Sequence, residues 1–398
     1  MRKLTLSWIM LVGCLVGLCG CPSRPPRPPK VPVPEYDRPL PMGEHALRKI
    51  TAPQDIPDFT RACADLTGLR QSVEYSLNYL AHPSSRKFFP MAGITHEKVV
   101  ASLRAFAALL DQRLPPAAMS AAIREKFDVY TSVGWDGRGT VLFTGYYTPI
   151  FEASPVRTGK FRFPLYGVPP NLVKGPDGTL LGWRGPDGSL RPAPSRRDLE
   201  TSGVLAGQEL VWLSDAFEAY VAHVQGSVRL RFPDGREKVY GYAADNGHEY
   251  RSVGEELVKD NKIPKESLSL AAMMAYFRAH PEQVNEYVWR NPRFIFFTES
   301  GAVPVGCLNQ PVTPLRTVAT DKSIFPRGAL VFLAVPLPQR VNRGVQLRHY
   351  EGFALDQDAG GAIRAPGRCD IYMGVGDEAG ELTGHTRQEG RLYYLFLK

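Results

Sequence analysis

The apolar positions change period partway along the chain. From about residue 57 to 130 they recur every three to four residues. Leu69, Val73, Leu77 and Leu80 stand at i, i+4, i+8 and i+11. Val99, Leu103, Phe106 and Leu110 repeat the stripe behind Thr95, a residue type that caps helix N-termini. Pro115-Pro116 stops that helix, and residues 117–127 start another. Stripes of this kind face a core. From Thr140 the period is two: Val141, Phe143 and Gly145 alternate with Leu142, Thr144 and Tyr146, which predicts a strand. Strand-like segments then recur between turn signals, Gly175-Pro176-Asp177-Gly178, Asp187-Gly188 and Asp234-Gly235. Residues 228–232 and 239–242 flank the last of these and read as a hairpin. Residues 211–222 read as a short helix, 267–278 and 281–289 as two more, the latter opened by Pro281. From Phe294 the chain is strand-rich again, at 294–297, 318–319, 330–334, 353–355, 371–373 and 391–397. Many short strands of this kind predict a barrel. No internal repeat is visible.

Composition agrees with a turn-rich β protein. The 398 residues include 37 Gly and 35 Pro, and 43% are hydrophobic, enough for a sizeable core. The formal charge of +8 is spread out, with no basic run interleaved with aromatics, so nucleic acid is not an expected partner. The first residues change the picture more. Arg2 and Lys3 precede an apolar run over residues 4–18 that is short for a membrane span and reads as a secretory signal. It ends in Leu18-Cys19-Gly20-Cys21, which resembles a bacterial lipobox with Cys21 as the lipidated residue; Cys14 would leave a very short apolar run. Pro22 rather than Asp follows Cys21, which points to the outer membrane. Residues 21–34 then read C-P-S-R-P-P-R-P-P-K-V-P-V-P, a semi-rigid spacer of on the order of 40 Å at ~3.1 Å per residue. Beyond the leader and Cys21, Cys63, Cys307 and Cys369 remain. That odd number is no disulfide framework, although Cys307 and Cys369 fall in one region and a pairing stays open. No His/Cys spacing resembles a zinc site.

The candidate chemistry concentrates in residues 353–374, F-A-L-D-Q-D-A-G-G-A-I-R-A-P-G-R-C-D-I-Y-M-G. Strand, glycine-rich turn and strand carry three carboxylates, Asp356, Asp358 and Asp370. An acid beside an apolar strand is partly desolvated, which raises its pKa. A carboxylic acid kept protonated near neutral pH is what cleavage of a glycosidic bond requires. Asp356 is expected to be exposed.

D-x-G-G-A-I-R followed by D-I-Y-x-G resembles the C-terminal catalytic motif of the membrane-bound lytic murein transglycosylase A (MltA) family. T-G-Y-Y-T-P at 144–149, H-V-Q-G-S at 223–227, Y-A-A-D-N-G-H at 242–248, N-P-R-F-I-F-F at 291–297 and T-V-A-T-D at 317–321 resemble further motifs of that family, in the same order. The resemblance covers roughly residue 61 to the C-terminus. It implies a mainly β fold with N-terminal helices: a double-psi β-barrel catalytic domain of the 3D type, with a second, smaller β domain inserted and a substrate groove between them. The implied layout is a lipoprotein signal peptide at 1–20 and a Pro-rich linker at 21–56. N-terminal helices and the first part of the catalytic domain take 57–150, the inserted domain 151–300, and the barrel 301–398.

The implied function is a peptidoglycan lytic transglycosylase held on the periplasmic side of the outer membrane by lipid on Cys21. Its partners would be glycan strands and the membrane, and no metal or organic cofactor is implied. Asp370 matches the family's acid and Asp358 its second motif aspartate. Substrate contacts fall to Tyr146, Tyr147, Thr148, Gln225, Ser227, Asp321, Gly360 and Gly361, with Thr144, Arg364, Trp183, Trp212 and Tyr250 as weaker candidates. Two alternatives stay open: a two-carboxylate hydrolase using Asp358 or Asp245, and a non-catalytic wall-binding lipoprotein.

Overall fold

The computed structural model describes residues 34–175, 179–342 and 344–398. The leader, Cys21, the proline run up to residue 33 and the turn residues Pro176, Asp177 and Gly178 lie outside the described residues. After a short strand β1 (Leu47–Lys49) come three helices, α1 (Leu69–Ala81), α2 (His96–Asp111) and α3 (Pro116–Lys126). Thr95 caps α2, its hydroxyl accepting from the Lys98 N–H at 3.1 Å. Val99, Leu103 and Phe106 of the predicted stripe are wholly buried. Burying side chains of this size contributes roughly 1.5–3 kcal/mol each. Phe106 meets Phe353 with ring centroids 5.2 Å apart, so the helices pack directly onto the strands behind them.

The helical period ends earlier than expected. α3 stops at Lys126, and strand β2 (Phe127–Ser132) follows. Phe127, Val129 and Thr131 are buried alternately, a period of two compressed into six residues. Strand β3 (Val141–Thr148) leads into a second β region. That region runs through β4 (Ile150–Ser154), β5 (Phe163–Tyr166), β6 (Leu172–Lys174), β7 (Leu180–Arg184), β8 (Leu190–Arg191) and α4 (Arg196–Thr201). It continues with β9 (Glu209–Leu213), α5 (Ala216–Gln225), β10 (Ser227–Arg231), β11 (Glu237–Asp245), α6 (Val253–Lys259), α7 (Leu270–Ala279), α8 (Val284–Val288) and β12 (Ile295–Glu299). The helix expected over 211–222 is thus a strand end followed by a helix. The Asp215 carboxylate accepts from the N–H groups of Phe217 and Glu218 at 2.7 and 2.9 Å and fixes the helix start there.

The chain then returns through β13 (Thr317–Ala319), β14 (Leu330–Val341), β15 (Gly344–Asp358), β16 (Arg368–Val375), α9 (Asp377–His385) and β17 (Arg387–Leu397). Strands β17, β14, β15, β13, β16 and β3 follow one another by hydrogen bonding, and β3 pairs back onto β17, closing a six-strand barrel. β2 and β1 extend from β17. The second region holds a six-stranded sheet, β12-β11-β10-β4-β9-β5, and a three-stranded one, β6-β7-β8. Its own core, built on Phe217, Phe277, Tyr287 and Phe297, is distinct from the barrel core around Phe59, Phe332 and Phe353.

Candidate active site

Strands β15, β13 and β16 lie side by side. Ala319 of β13 stands opposite both Asp358 of β15 and Asp370 of β16. With neighbouring strands about 4.8 Å apart, the two acid-bearing backbones are roughly 10 Å apart. Only a methyl group stands between them. Ala319, both acids, and Gly145 and Tyr146 of β3 line one wall of a groove of about 600 Å³.

The two acids are held differently. Asp358 Oδ2 accepts from the Tyr146 hydroxyl at 2.7 Å, and its Oδ1 accepts from the N–H groups of Cys307 and Ala359, both at 2.8 Å. Burial pushes its pKa up, while these three donors act the other way. Asp370 has less support. Burial raises its pKa to about 7; Arg368 and the Thr144 hydroxyl oppose the shift, and the charge of Asp358 reinforces it. Its Oδ1 is buried without a partner among the described residues. A carboxyl with a pKa near 7 is poised both to give and to take a proton.

The facing wall comes from the second β region. It carries Gln225 and Ser227, the ring of Tyr242, and Asp245, Tyr250 and Arg293. Tyr242 is 46% exposed, with its hydroxyl donating to Asp245 at 2.6 Å. An aromatic face held open by its polar end suits stacking on a sugar ring. Arg293 pairs with Asp245 at 2.7 Å and crosses to the other wall, lying against Gly361, where a Cβ would come within 2.9 Å of its Nε. Gly361 therefore permits a close contact between the walls. His223, the first residue of the H-V-Q-G-S motif, lies at the groove lining but is itself buried. Its pKa is driven well down by burial, and its Nδ1 accepts from the Ile295 N–H at 3.3 Å, so it serves as a neutral strut.

Of the residues expected at the site, Asp358, Asp370, Tyr146, Gln225, Ser227, Gly360 and Gly361 meet in the groove. Tyr147, Thr148 and Asp321 do not line it. Tyr147 points the other way along β3, packing its ring on Gly380 of α9. Thr148 is fully buried and bridges Ser227 and the Tyr372 hydroxyl at 2.9 and 3.0 Å. Asp321 accepts from Ser323 and, at 3.0 Å, from the Ala365 N–H, bracing the loop between the two acids. Asp356, expected to be exposed, is wholly buried and bonded to Thr320, Tyr394 and Lys322. Trp183 sits in a small satellite core, and Trp212 lies beneath the Arg157 guanidinium. Cys307 and Cys369 are free thiols, not a disulfide. The sequence reading passed over Arg293 and the Tyr242 ring. For Arg293 the signal was a charge standing directly before the apolar run 294–297.

The chain matches the MltA specific insert domain over residues 142–298 and the 3D domain over residues 316–396. It is 34% identical over 272 residues to the membrane-bound lytic murein transglycosylase A of Escherichia coli (strain K12), covering 67% of this chain and 69% of the relative. Among solved structures, the membrane-bound lytic murein transglycosylase from Agrobacterium tumefaciens superposes with a TM-score of 0.72 at 26% identity, covering 88% of this chain and 98% of the other. E. coli MltA with bound chitohexaose superposes at 0.65 and 26% identity, over 90% and 96% of the respective chains.

Proposed function

The chain belongs to the membrane-bound lytic murein transglycosylase A family, and from that premise we propose that its groove holds a peptidoglycan strand and breaks the β-1,4 bond between N-acetylmuramic acid and N-acetylglucosamine through a single acid, Asp370. One observation carries the reading. Asp370 is the groove carboxyl with its pKa raised to about 7 and one oxygen unbonded, while Asp358 beside it is occupied by three donors. The protonated Asp370 gives its proton to the glycosidic oxygen as the bond to C1 breaks. As a carboxylate it then takes the proton of the muramic C6 hydroxyl, whose oxygen bonds to C1 of the same sugar. The proton lost from O6 replaces the one given away, and no water is consumed. An intramolecular nucleophile is already positioned, so no second carboxylate is needed to direct water.

Tyr242 offers its face to a pyranose ring, and Gln225 and Ser227 present amide and hydroxyl groups of the kind that bind hydroxyl and acetamido substituents. Asp358 fixes Tyr146 and the turn after β15. A two-carboxylate hydrolase is less well supported. Asp245 is committed to Arg293, Tyr242 and the Gly247 N–H, and the oxygens of Asp358 are already in use. The deciding experiment is digestion of purified sacculi in ¹⁸O-labelled water. Unlabelled 1,6-anhydro-muramic ends, about 18 Da lighter than hydrolysed ones, are expected from intramolecular attack. Labelled reducing ends would overturn the one-acid reading and promote Asp358 or Asp245.

Anchoring rests on the lipobox. Lipid on Cys21 holds the protein at the periplasmic face of the outer membrane; among the described residues no helix is long and apolar enough to cross a membrane. Cys21→Ala should release activity into the soluble fraction. A variant that stays with membranes after a high-salt wash would exclude Cys21 as the anchor.

A further inference from the structure

Residues 35–37 lie across the outside of the barrel at the entry to β16. The Tyr36 ring meets Trp135 edge-on at 6.0 Å, and its hydroxyl donates to Glu389 at 2.9 Å. Its carbonyl rests on Gly367, where a Cβ would come within 2.5 Å. Asp37 then accepts from Arg368 Nη1 at 3.0 Å. The Arg368 side chain is only 14% exposed, and its Nε is buried without a partner among the described residues. The same is true of Asp370 Oδ1, two residues further on. Residues i and i+2 of a strand project from the same face. β16 therefore presents a guanidinium and an acid side by side, each with an unused buried atom, and neither bonded to the other.

We infer that the Tyr36–Asp37 strap positions the acid site by drawing the Arg368 guanidinium outward, away from Asp370. This rests on the reading of Asp370 as the acid. Asp370 is faced by Asp358 from β15, by Tyr146 and the Thr144 hydroxyl from β3, and by Arg368 on its own strand, while the Cys369 thiol next to it lies on the opposite, core face and feels its charge. Arg387 and Glu389 of β17 face the strap. Arg368 is the cation that pulls on Asp370 most strongly, and its field lowers the pKa of the acid. With Asp37 gone, the guanidinium is free to turn back along the strand and pair with Asp370, holding it ionised.

The test is the pH profile of kcat/KM for the full chain on sacculi, comparing wild type with Asp37→Asn. The limb on which Asp370 loses its proton should move to lower pH, so that activity falls roughly three- to tenfold at pH 7.5 and less than about twofold at pH 5, one pKa unit being a factor of ten. Asp37→Glu should keep the wild-type profile. Adding Arg368→Gln to Asp37→Asn should return the limb towards its wild-type position. A superimposable profile, or an equal loss at every pH, would overturn the strap. Asp370→Asn, run alongside, separates the two ideas. If it retains turnover, the acid assignment itself falls. If it is inactive while Asp37→Asn leaves the limb in place, only the strap does.

Discussion

The barrel carries two desolvated aspartates fourteen positions apart in the chain, and they are treated in opposite ways. Asp356 is wholly enclosed. Thr320 reaches both of its oxygens at 2.9 and 2.8 Å, Tyr394 reaches one at 2.8 Å, and the buried ammonium of Lys322 closes the set. Asp370 is also desolvated, yet Oδ1 has no partner and its pKa stands near 7. Burial alone does not distinguish a working acid from a structural one. What differs is how far the charged form is satisfied. The oxygens of Asp356 are all hydrogen-bonded and paired with a cation, the ordinary arrangement of a structural carboxylate. A buried carboxyl left short of donors, as Asp370 is, can pass between its two protonation states, which acid–base work requires.

The same substitution at both positions should separate them most. Asp370→Asn keeps the shape and removes the titrating proton. Turnover on sacculi should fall at or beyond roughly 10⁴-fold, the upper end for loss of a general acid, with the fold intact. Asp356→Asn should do the reverse. It leaves the Lys322 charge buried without its counterion, and breaking such a pair costs about 3–5 kcal/mol. Denaturant unfolding should report that loss, while activity per folded molecule stays near wild type. Wild-type stability in Asp356→Asn, or near-normal turnover in Asp370→Asn, would collapse the distinction.

A smaller effect follows from the raised pKa. The folded-state value of Asp370, about 7, lies above the unfolded value of 3.8. Between those two pH values the folded state holds the proton that the unfolded state has released, so the wild type loses stability as pH rises through that window. The ceiling is about 4 kcal/mol at roughly 1.4 kcal/mol per unit. Because Asp370 keeps some exposure, about 1–3 kcal/mol is the expectation. Asp370→Asn should therefore be more stable than wild type at pH 8 and equal to it at pH 3. A pH-independent difference between their melting temperatures would rule this out. Activity in this barrel would then be maintained against stability, as strained or under-satisfied sites commonly are.

How much of this was legible in the chain follows from the same contrast. The turns of the helical stripe, the Thr95 cap, the hairpin at Asp234-Gly235 and the strand at 141–148 are local patterns, and all are present. The strand at Phe127 was hidden because six residues of period two adjoin a helix with no breaker between them. That Asp370 and Asp358 would meet in one groove was legible through the resemblance of their motif to that of the family. The fate of Asp356 was not, because Thr320 and Lys322 lie more than thirty positions away and Tyr394 lies further still on β17. Tyr147 and Thr148 were drawn into the site by their neighbour Tyr146. Tyr147 leaves from the opposite face of the strand, while Thr148 shares the face of Tyr146 but is covered by Ser227 and Tyr372, to which its hydroxyl is bonded. Asp321 was placed correctly in the barrel but wrongly in the groove. Its carboxylate is used up by Ser323 and Ala365, a hydrogen-bond account that no motif contains.

The most discriminating of the smaller tests concerns Tyr146, which touches the weaker side of the contrast. Its ring lines the groove, and its hydroxyl supplies one of the three donors on Asp358. Tyr146→Phe keeps the ring and deletes the donor. Asp358, whose pKa burial already pushes up, then loses part of what holds it ionised, and its pKa rises further. Wherever Asp358 takes up a proton it stops raising the pKa of Asp370, and the acid becomes easier to ionise. The limb on which Asp370 loses its proton should therefore move to lower pH, narrowing the pH–rate profile from its alkaline side. A hydrogen bond to a charged group contributes about 1.5–3 kcal/mol, shared here with two backbone donors, so a loss of about tenfold or less near pH 7 is expected, shrinking towards pH 5. KM should change little, because the stacking face remains. If Tyr146→Phe raises KM at every pH and leaves the shape of the profile untouched, Tyr146 serves the sugar rather than the acid pair, and Asp358 does not need its side-chain donor to stay ionised.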